Sequence, residues 1–311
     1  MTDLQVRKMR FAFADYDVPF LWNEENPAFS SMANAVSFLA IGFEKMIVNM
    51  IREAMPRITD PAVAEEADAF VRQEGQHSTA HRQHVNGLIR NYPGLQETLN
   101  EVIGEFDRLT TDTSLDYRLA YTADLEATFT PVFKLMLDND STLFRPGDDR
   151  VASLFIWHFV EEVEHRSSAL IIFDSIVGSD AYRMRMAPSI FRHVMKVIKV
   201  ACEGFNKHVP QEDRQIDALS MFAMHRGKQK LRTWLRLPVA DNGPMPRAFD
   251  DLRLGAQLIA LVGVIRSQMP KHNPDHEKLP ALAGVWFERY DAGYDVTRWY
   301  TADTVAAQQG D

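Results

Sequence analysis

The sequence predicts an all-α fold, a four-helix bundle extended by additional C-terminal helices. Three observations carry this expectation. Apolar residues recur at three- and four-residue spacing nearly throughout the chain. No run of alternating β-branched residues bounded by turn signals breaks that rhythm. The Pro, Gly, Asn and Asp clusters that punctuate it fall at helix-length intervals.

A first helix is expected from about Met32 to Ala54, stopping at Met55-Pro56. Asp60-Pro61 offers an N-cap followed by proline at the first helical position. It opens a second helix that reaches about Arg90, where Asn91-Tyr92-Pro93-Gly94 ends it. A shorter helix precedes a third long one from about Ser114 to Leu137. Asp138 to Asp148 is rich in turn residues and reads as a loop, after which a fourth long helix covers about Asp149 to Val177. Beyond Gly178 the character changes: Arg183 to Arg236 holds twelve Lys or Arg against four acids, still in helical pattern. Asp241-Asn242-Gly243-Pro244 marks a loop before the last apolar helices. The expected organisation is an N-terminal arm (1–31), a four-helix unit (32–178) and a helical extension (179–311) packed on it as one continuous domain.

Length and composition narrow the function classes. At 311 residues, 46% hydrophobic and 25% charged, the chain can bury a full core. A formal charge of −9 argues against a general nucleic-acid binder, which needs a surplus of Lys and Arg. The single Cys202 forms no internal disulfide and no Cys-based zinc site, which fits a reducing compartment. The N-terminus lacks the apolar run of a signal peptide. The longest apolar stretch near the C-terminus, Leu254 to Ile265, falls short of the roughly 20 residues that cross a bilayer. A cytoplasmic protein without a transmembrane segment is expected, with a homodimer as the ordinary oligomer.

The chemistry sits in two repeated patterns. Helix two contains Glu74-x-x-His77 and helix four contains Glu162-x-x-His165. A three-residue step nearly completes a helical turn, so each pair points at one place. Two such pairs, plus one Glu from each of two further helices, make a carboxylate-bridged two-metal site inside a bundle. Helix one offers Glu44 and helix three Glu126, both in apolar stretches where a lone carboxylate is costly to bury. Heights agree: Glu44 and Glu74 stand 14 and 16 residues from the turn near Ile58, and Glu126 and Glu162 stand about equally far from Leu143. The mismatch in each hairpin is about 3 Å or less. His158, four residues before Glu162, adds a seventh candidate on the same stripe.

This set, Glu44, Glu74-x-x-His77, Glu126 and His158-x-x-x-Glu162-x-x-His165, resembles the ferritin-like di-iron oxygenases. The extra histidine resembles the seven-ligand arrangement of the p-aminobenzoate N-oxygenase group. The stretches Phe70 to His77 and Trp157 to His165 are also similar to a bacterial family of predicted metal-dependent hydrolases. The resemblance covers roughly residues 30–180, and most of the chain for the second family. It implies a ferritin-like bundle with two iron ions, or manganese or a mixed manganese/iron pair, on these seven residues.

Each residue also has a plainer reading. Glu126 could pair with Arg118 or Lys134, and His158 could be a core histidine bonded to a carbonyl. His81 shares the stripe of Glu74 and His77 as an outer partner or spare ligand. Glu161 and Glu164 are expected to face solvent or a neighbouring helix. Thr130, just before Pro131, either relieves the proline kink or handles protons at the centre. The basic C-terminal half is a solvated helix face, a cover offering cations to an anionic substrate, or a surface that leans on anionic lipid.

Carboxylates and imidazoles without thiolate suit iron or manganese. The leading expectation is therefore an oxygen-dependent oxidase or oxygenase acting on a small organic substrate, anionic or apolar, with electrons from a partner protein or from the substrate. The alternative is a hydrolase in which two metals, zinc included, bridge a hydroxide for ester or phosphoester displacement. A third reading is a non-catalytic iron-handling or sensing protein.

Overall fold

The computed structural model describes residues 4–239 and 242–301, and every regular element among them is helical. The long helices start where a side chain can accept from their free N–H groups. α1, Pro27–Ala54, opens on Asn26, whose side chain accepts from Phe29 N. This start lies five residues before the expected one, because Asn26-Pro27 is the same cap-plus-proline signal that opens α2. α2, Pro61–Asn91, has Asp60 accepting from Ala62 N. α3 is Leu95–Asp112, and α4, Leu115–Leu137, is capped by Ser114. The expected loop after α4 holds one helical turn, α5, Asp140–Leu143.

The fourth long helix is not continuous. α6, Asp149–Glu164, ends at His165, and α7, Ser168–Ile176, resumes after a break. Side chains take over backbone bonding there. Arg166 Nη1 donates to Val163 O at 2.8 Å, satisfying a last-turn carbonyl. Ser167 and Ser168 donate to Asp275 and Glu66 at 2.8 and 2.6 Å. Short hydroxyl side chains with such partners favour an interruption over a helix interior.

The remaining helices are α8, Asp180–His208; α9, Gln211–Arg214; α10, Ala223–Trp234; α11, Leu254–Ser267; and α12, Ala281–Asp291. α1 packs on α2 and α4, and α6 closes the ring by packing on both α2 and α4. α3 and α8 cover α1 from outside, and α11 lies on α4. The segment before α1 joins the same core through Phe11, Phe13, Val18, Phe20 and Trp22. By length and composition the helical run Pro27–Arg57 could cross a membrane, but 78% of its apolar window is buried against these neighbours.

One close approach makes a stability prediction. Gly204 on α8 faces Thr98 on α3, and a Cβ there would overlap Thr98 Oγ1. Gly204→Ala gains about 0.5–1 kcal/mol of helix propensity. Overpacking costs about 1–3 kcal/mol, so a net loss is expected in urea unfolding. A gain in stability would show that the two helices have room to part.

Candidate metal centre

α1, α2, α4 and α6 each send carboxylates or imidazoles into the shared interior, and all seven predicted residues meet there. Glu44, Glu74, His77, Glu126, His158, Glu162 and His165 are each 3% exposed or less. Glu162 lies at the middle. Its Oε1 is 2.8 Å from His158 Nε2 and 3.5 Å from His77 Nδ1, while Oε2 is 3.2 Å from His165 Nε2. His165 Nε2 also stands 3.2 Å from Glu74 Oε1 and 3.6 Å from Glu126 Oε2. His158 Nε2 reaches Glu44 Oε1 at 3.5 Å, and His77 Nδ1 reaches Glu74 Oε2 at 3.9 Å.

These donors group into overlapping sets with metal-ligand spacing. One holds Glu74, Glu126, Glu162 and His165; the others combine Glu44, Glu74, His77, His158 and Glu162, with His81 behind His158. Glu74 and Glu162 belong to both sides. The alternative pairings of Glu126 do not form, since Arg118 is engaged with Glu53 and Lys134 with Asp138.

Whether cations fit can be judged from what the donors lack. Glu44 Oε2, both oxygens of Glu74, both oxygens of Glu126 and His77 Nδ1 are buried without a hydrogen-bond partner. Each unmade bond of this kind costs about 1–3 kcal/mol. Six such atoms around one point fit a pair of divalent cations, whose charge offsets four carboxylates.

The electrostatics agree. Burial pushes Glu44 and Glu126 well above the usual carboxylate range, and the neighbouring carboxylates push further. Glu74 is raised to about 7 by burial and by Glu162. Burial also opposes charge on Glu162, yet His165, His158 and His77 hold it well below its ordinary value. His77 rises to about 9: burial works against its charge, but Glu161, Glu162 and Glu74 outweigh it. His158 falls to about 4, through burial first and the neighbouring His77 second. Protons and imidazolium thus hold together a cluster that cations would hold better.

Of the side chains that aim the imidazoles, the sequence offers only His81, as an outer partner or spare ligand. Glu161 is fully buried against the neighbouring α2, not in solvent, and its Oε2 accepts from His77 Nε2 at 2.9 Å. That leaves Nδ1 facing the centre. Arg7 donates to Glu161 Oε1 at 3.0 Å and to Glu164 Oε2 at 2.8 Å, under the ring of Phe287 from α12. Gln73 donates to Gln5 O and Glu164 Oε2, which fixes its Oε1 as acceptor for His165 Nδ1 at 3.1 Å. His158 Nδ1 meets His81 Nε2 at 2.8 Å, and His81 Nδ1 meets Ser37 Oγ at 2.9 Å. Ser37 Oγ continues to His84 Nδ1 at 3.0 Å. The spacing of His77, His81 and His84 along one face was a signal for this chain. Arg7, far off in sequence, left none.

Carboxylates behind imidazoles fix the tautomer and raise ligand basicity, and losing one typically costs 10–100-fold in metal affinity. Glu161→Gln is therefore expected to weaken metal binding by about that factor. Competition with a fluorescent chelator measures it. Unchanged affinity would mean that packing alone aims His77.

Thr130 is buried with its hydroxyl unpartnered, so it does not relieve the proline kink by bonding a freed carbonyl.

Searches of curated proteins and of solved structures find no match to this chain. A family described as "Predicted metal-dependent hydrolase" matches residues 5–242, roughly three quarters of the sequence, taking in Arg7 and every residue of the centre. That match corrects the expectation of an oxygen-dependent oxidase or oxygenase. Buried oxygen and nitrogen donors without thiolate serve hydrolytic sites as readily as oxygen-activating ones. The donor set could not choose between the two, and the family description names hydrolysis. The chain belongs to this family of predicted metal-dependent hydrolases.

Proposed function

We propose that the protein hydrolyses an ester or phosphoester of a small organic molecule, using two divalent metals held by Glu44, Glu74, His77, Glu126, His158, Glu162 and His165. The observation that carries this reading is the convergence of six orphaned buried donor atoms, in a chain whose family is described by metal-dependent hydrolysis. Glu74 and Glu162 are shared between the two positions. Glu44, His77 and His158 complete one, and Glu126 and His165 the other. The four helices that carry them correspond, in this reading, to a ferritin-like bundle. Zinc is the leading metal, with iron or manganese on the same donors, and hydrolysis needs no electron donor.

Metals bound there would supply the acidity that activates water and polarise the scissile carbonyl or phosphoryl group. The chain's own part is to hold and to shield. Glu161, Gln73 and His81 each fix the far nitrogen of one imidazole. A cleft of about 840 Å³ opens between α4 and α11, lined by Pro131 and Leu135, by Lys134 with its partner Asp138, and by Arg266, Lys271 and Lys278. Pro131 follows Thr130, one turn beyond Glu126. The cleft's 270–278 wall is tied beside His165, where Arg166 Nε donates to Pro274 O at 2.9 Å. The substrate approaches here, its apolar part on Pro131 and Leu135 and its anionic group on Arg266, Lys271 and Lys278. Thr130, buried with its hydroxyl unpartnered and next in sequence to Pro131 of the cleft, would orient water or the leaving group.

Zinc-loaded protein, assayed without oxygen on a panel of carboxylic and phosphoric esters, is expected to turn over at least one. Activity should vanish on chelation and return with zinc. A fully loaded protein inert towards the whole panel, yet reacting with oxygen when iron-loaded, would overturn this function.

A further inference from the structure

α10 sits on the molecule the wrong way round for a protein in water. Its polar face is the one that touches the body: His225 Nε2 meets Asp217 Oδ2 at 2.8 Å, and Arg226 Nη1 donates to Ser220 O. Its apolar side chains point outward, with Met224 76%, Leu231 54% and Trp234 78% exposed. These recur at i, i+7 and i+10 and therefore form one stripe. Leu235, Leu237 and Val239 extend the exposed apolar surface past the helix end. No residue of α10 is buried. A helix that faces water with its apolar stripe lacks its partner.

Charge says what the partner is. From Ala218 to Val239 the chain carries Arg226, Lys228, Lys230, Arg232 and Arg236 and no Asp or Glu, although the whole chain has a net charge of −9. At 100° per residue, Lys228 and Arg232 flank the stripe on one side and Lys230 on the other. Cations on both margins of an apolar stripe, with a Trp at the helix end, suit the headgroup region of a bilayer. The apolar side chains enter the acyl boundary while the long basic ones reach lipid phosphates. We infer that α10 and the segment to Val239 form a docking surface for an anionic lipid bilayer, on which the helix lies without crossing it. This surface is independent of the chemistry at the metal centre.

The test uses the intact protein with vesicles of phosphatidylcholine alone and of phosphatidylcholine mixed with phosphatidylserine. Co-sedimentation is expected with the mixed vesicles only and should fall as salt rises. Trp234→Ser, and separately the double change Lys228→Glu with Arg232→Glu, should each lower the partition coefficient by about tenfold or more. Both variants should keep the wild-type circular dichroism and melting temperature, because α10 contributes no buried residue. Wild-type protein that stays in the supernatant with anionic vesicles would overturn the inference. So would an oligomer that dissociates on Trp234→Ser in the absence of vesicle binding, since a second copy would then be the stripe's partner.

Discussion

Glu162→Ala is expected to empty the centre. Glu162 is the one carboxylate within 3.5 Å of all three imidazoles that face the interior. The imidazoles favour its charged form, while burial and mutual repulsion disfavour charge on Glu44 and Glu126. Its removal deprives both metal positions of a shared ligand. Changing a side chain that merely stands behind a ligand costs 10–100-fold in metal affinity, so the loss here should exceed about 100-fold. Metal content after gel filtration should drop for both ions together, and ester turnover with it. Glu162→Gln keeps the shape without the charge and should fail in the same way. If either variant retained a full complement of metal, a carboxylate-bridged pair would be the wrong description. Urea unfolding of the metal-free forms separates this from simple misfolding.

Metal removal should expose a pH dependence that bound metal conceals. His77 is raised from 6.5 to about 9 in the folded protein. Its contribution to stability is full below the unfolded value and is lost as pH rises through about 9. Glu74, raised from 4.5 to about 7, has the same sign and has lost its contribution by about pH 7. His84 has the opposite sign: burial lowers it from 6.5 to about 3, so its contribution is present above 6.5 and lost as pH falls. On the acid side Glu74 opposes His84 and His158, which leaves pH 7 to 9 as the informative window. Chelator-treated protein should lose about 2 kcal/mol across it from His77 alone. Zinc competes with protons for these donors, so its stabilising effect should be larger at pH 9 than at pH 7. At about 1,000 times its dissociation constant it should amount to roughly 4 kcal/mol. Equal stability of the stripped protein at both pH values would mean that His77 is not held as an imidazolium by Glu161 and Glu162.

Much of the fold was legible because helix signals are local. Asp60-Pro61 and Ser114 announce α2 and α4 by capping chemistry that needs only neighbouring residues. Asn26-Pro27 carried the same signal and was passed over, which shortened the expected α1. The break at His165 was not legible, because it depends on Glu66 and Asp275, residues remote in sequence that accept from the Ser168 and Ser167 hydroxyls. Which of its two expected settings Glu161 takes, solvent or a neighbouring helix, was not legible for a similar reason. Next to Glu162 it looks like the solvent-side member of an acidic pair, and only Arg7 and His77 draw it inside.

What the sequence by itself determined is the set of seven donors and their convergence, since a 3.6-residue period and matched distances from the turns leave few places for them to point. It could not choose the chemistry, because oxygen activation and hydrolysis draw on the same donor atoms. Tertiary structure alone decided which nitrogen of each imidazole faces the centre, because those hydrogen bonds join residues as far apart as His77 and Glu161. It also decided that α10 turns its apolar stripe outward. A helical period defines two faces, but only packing selects the one that meets the core.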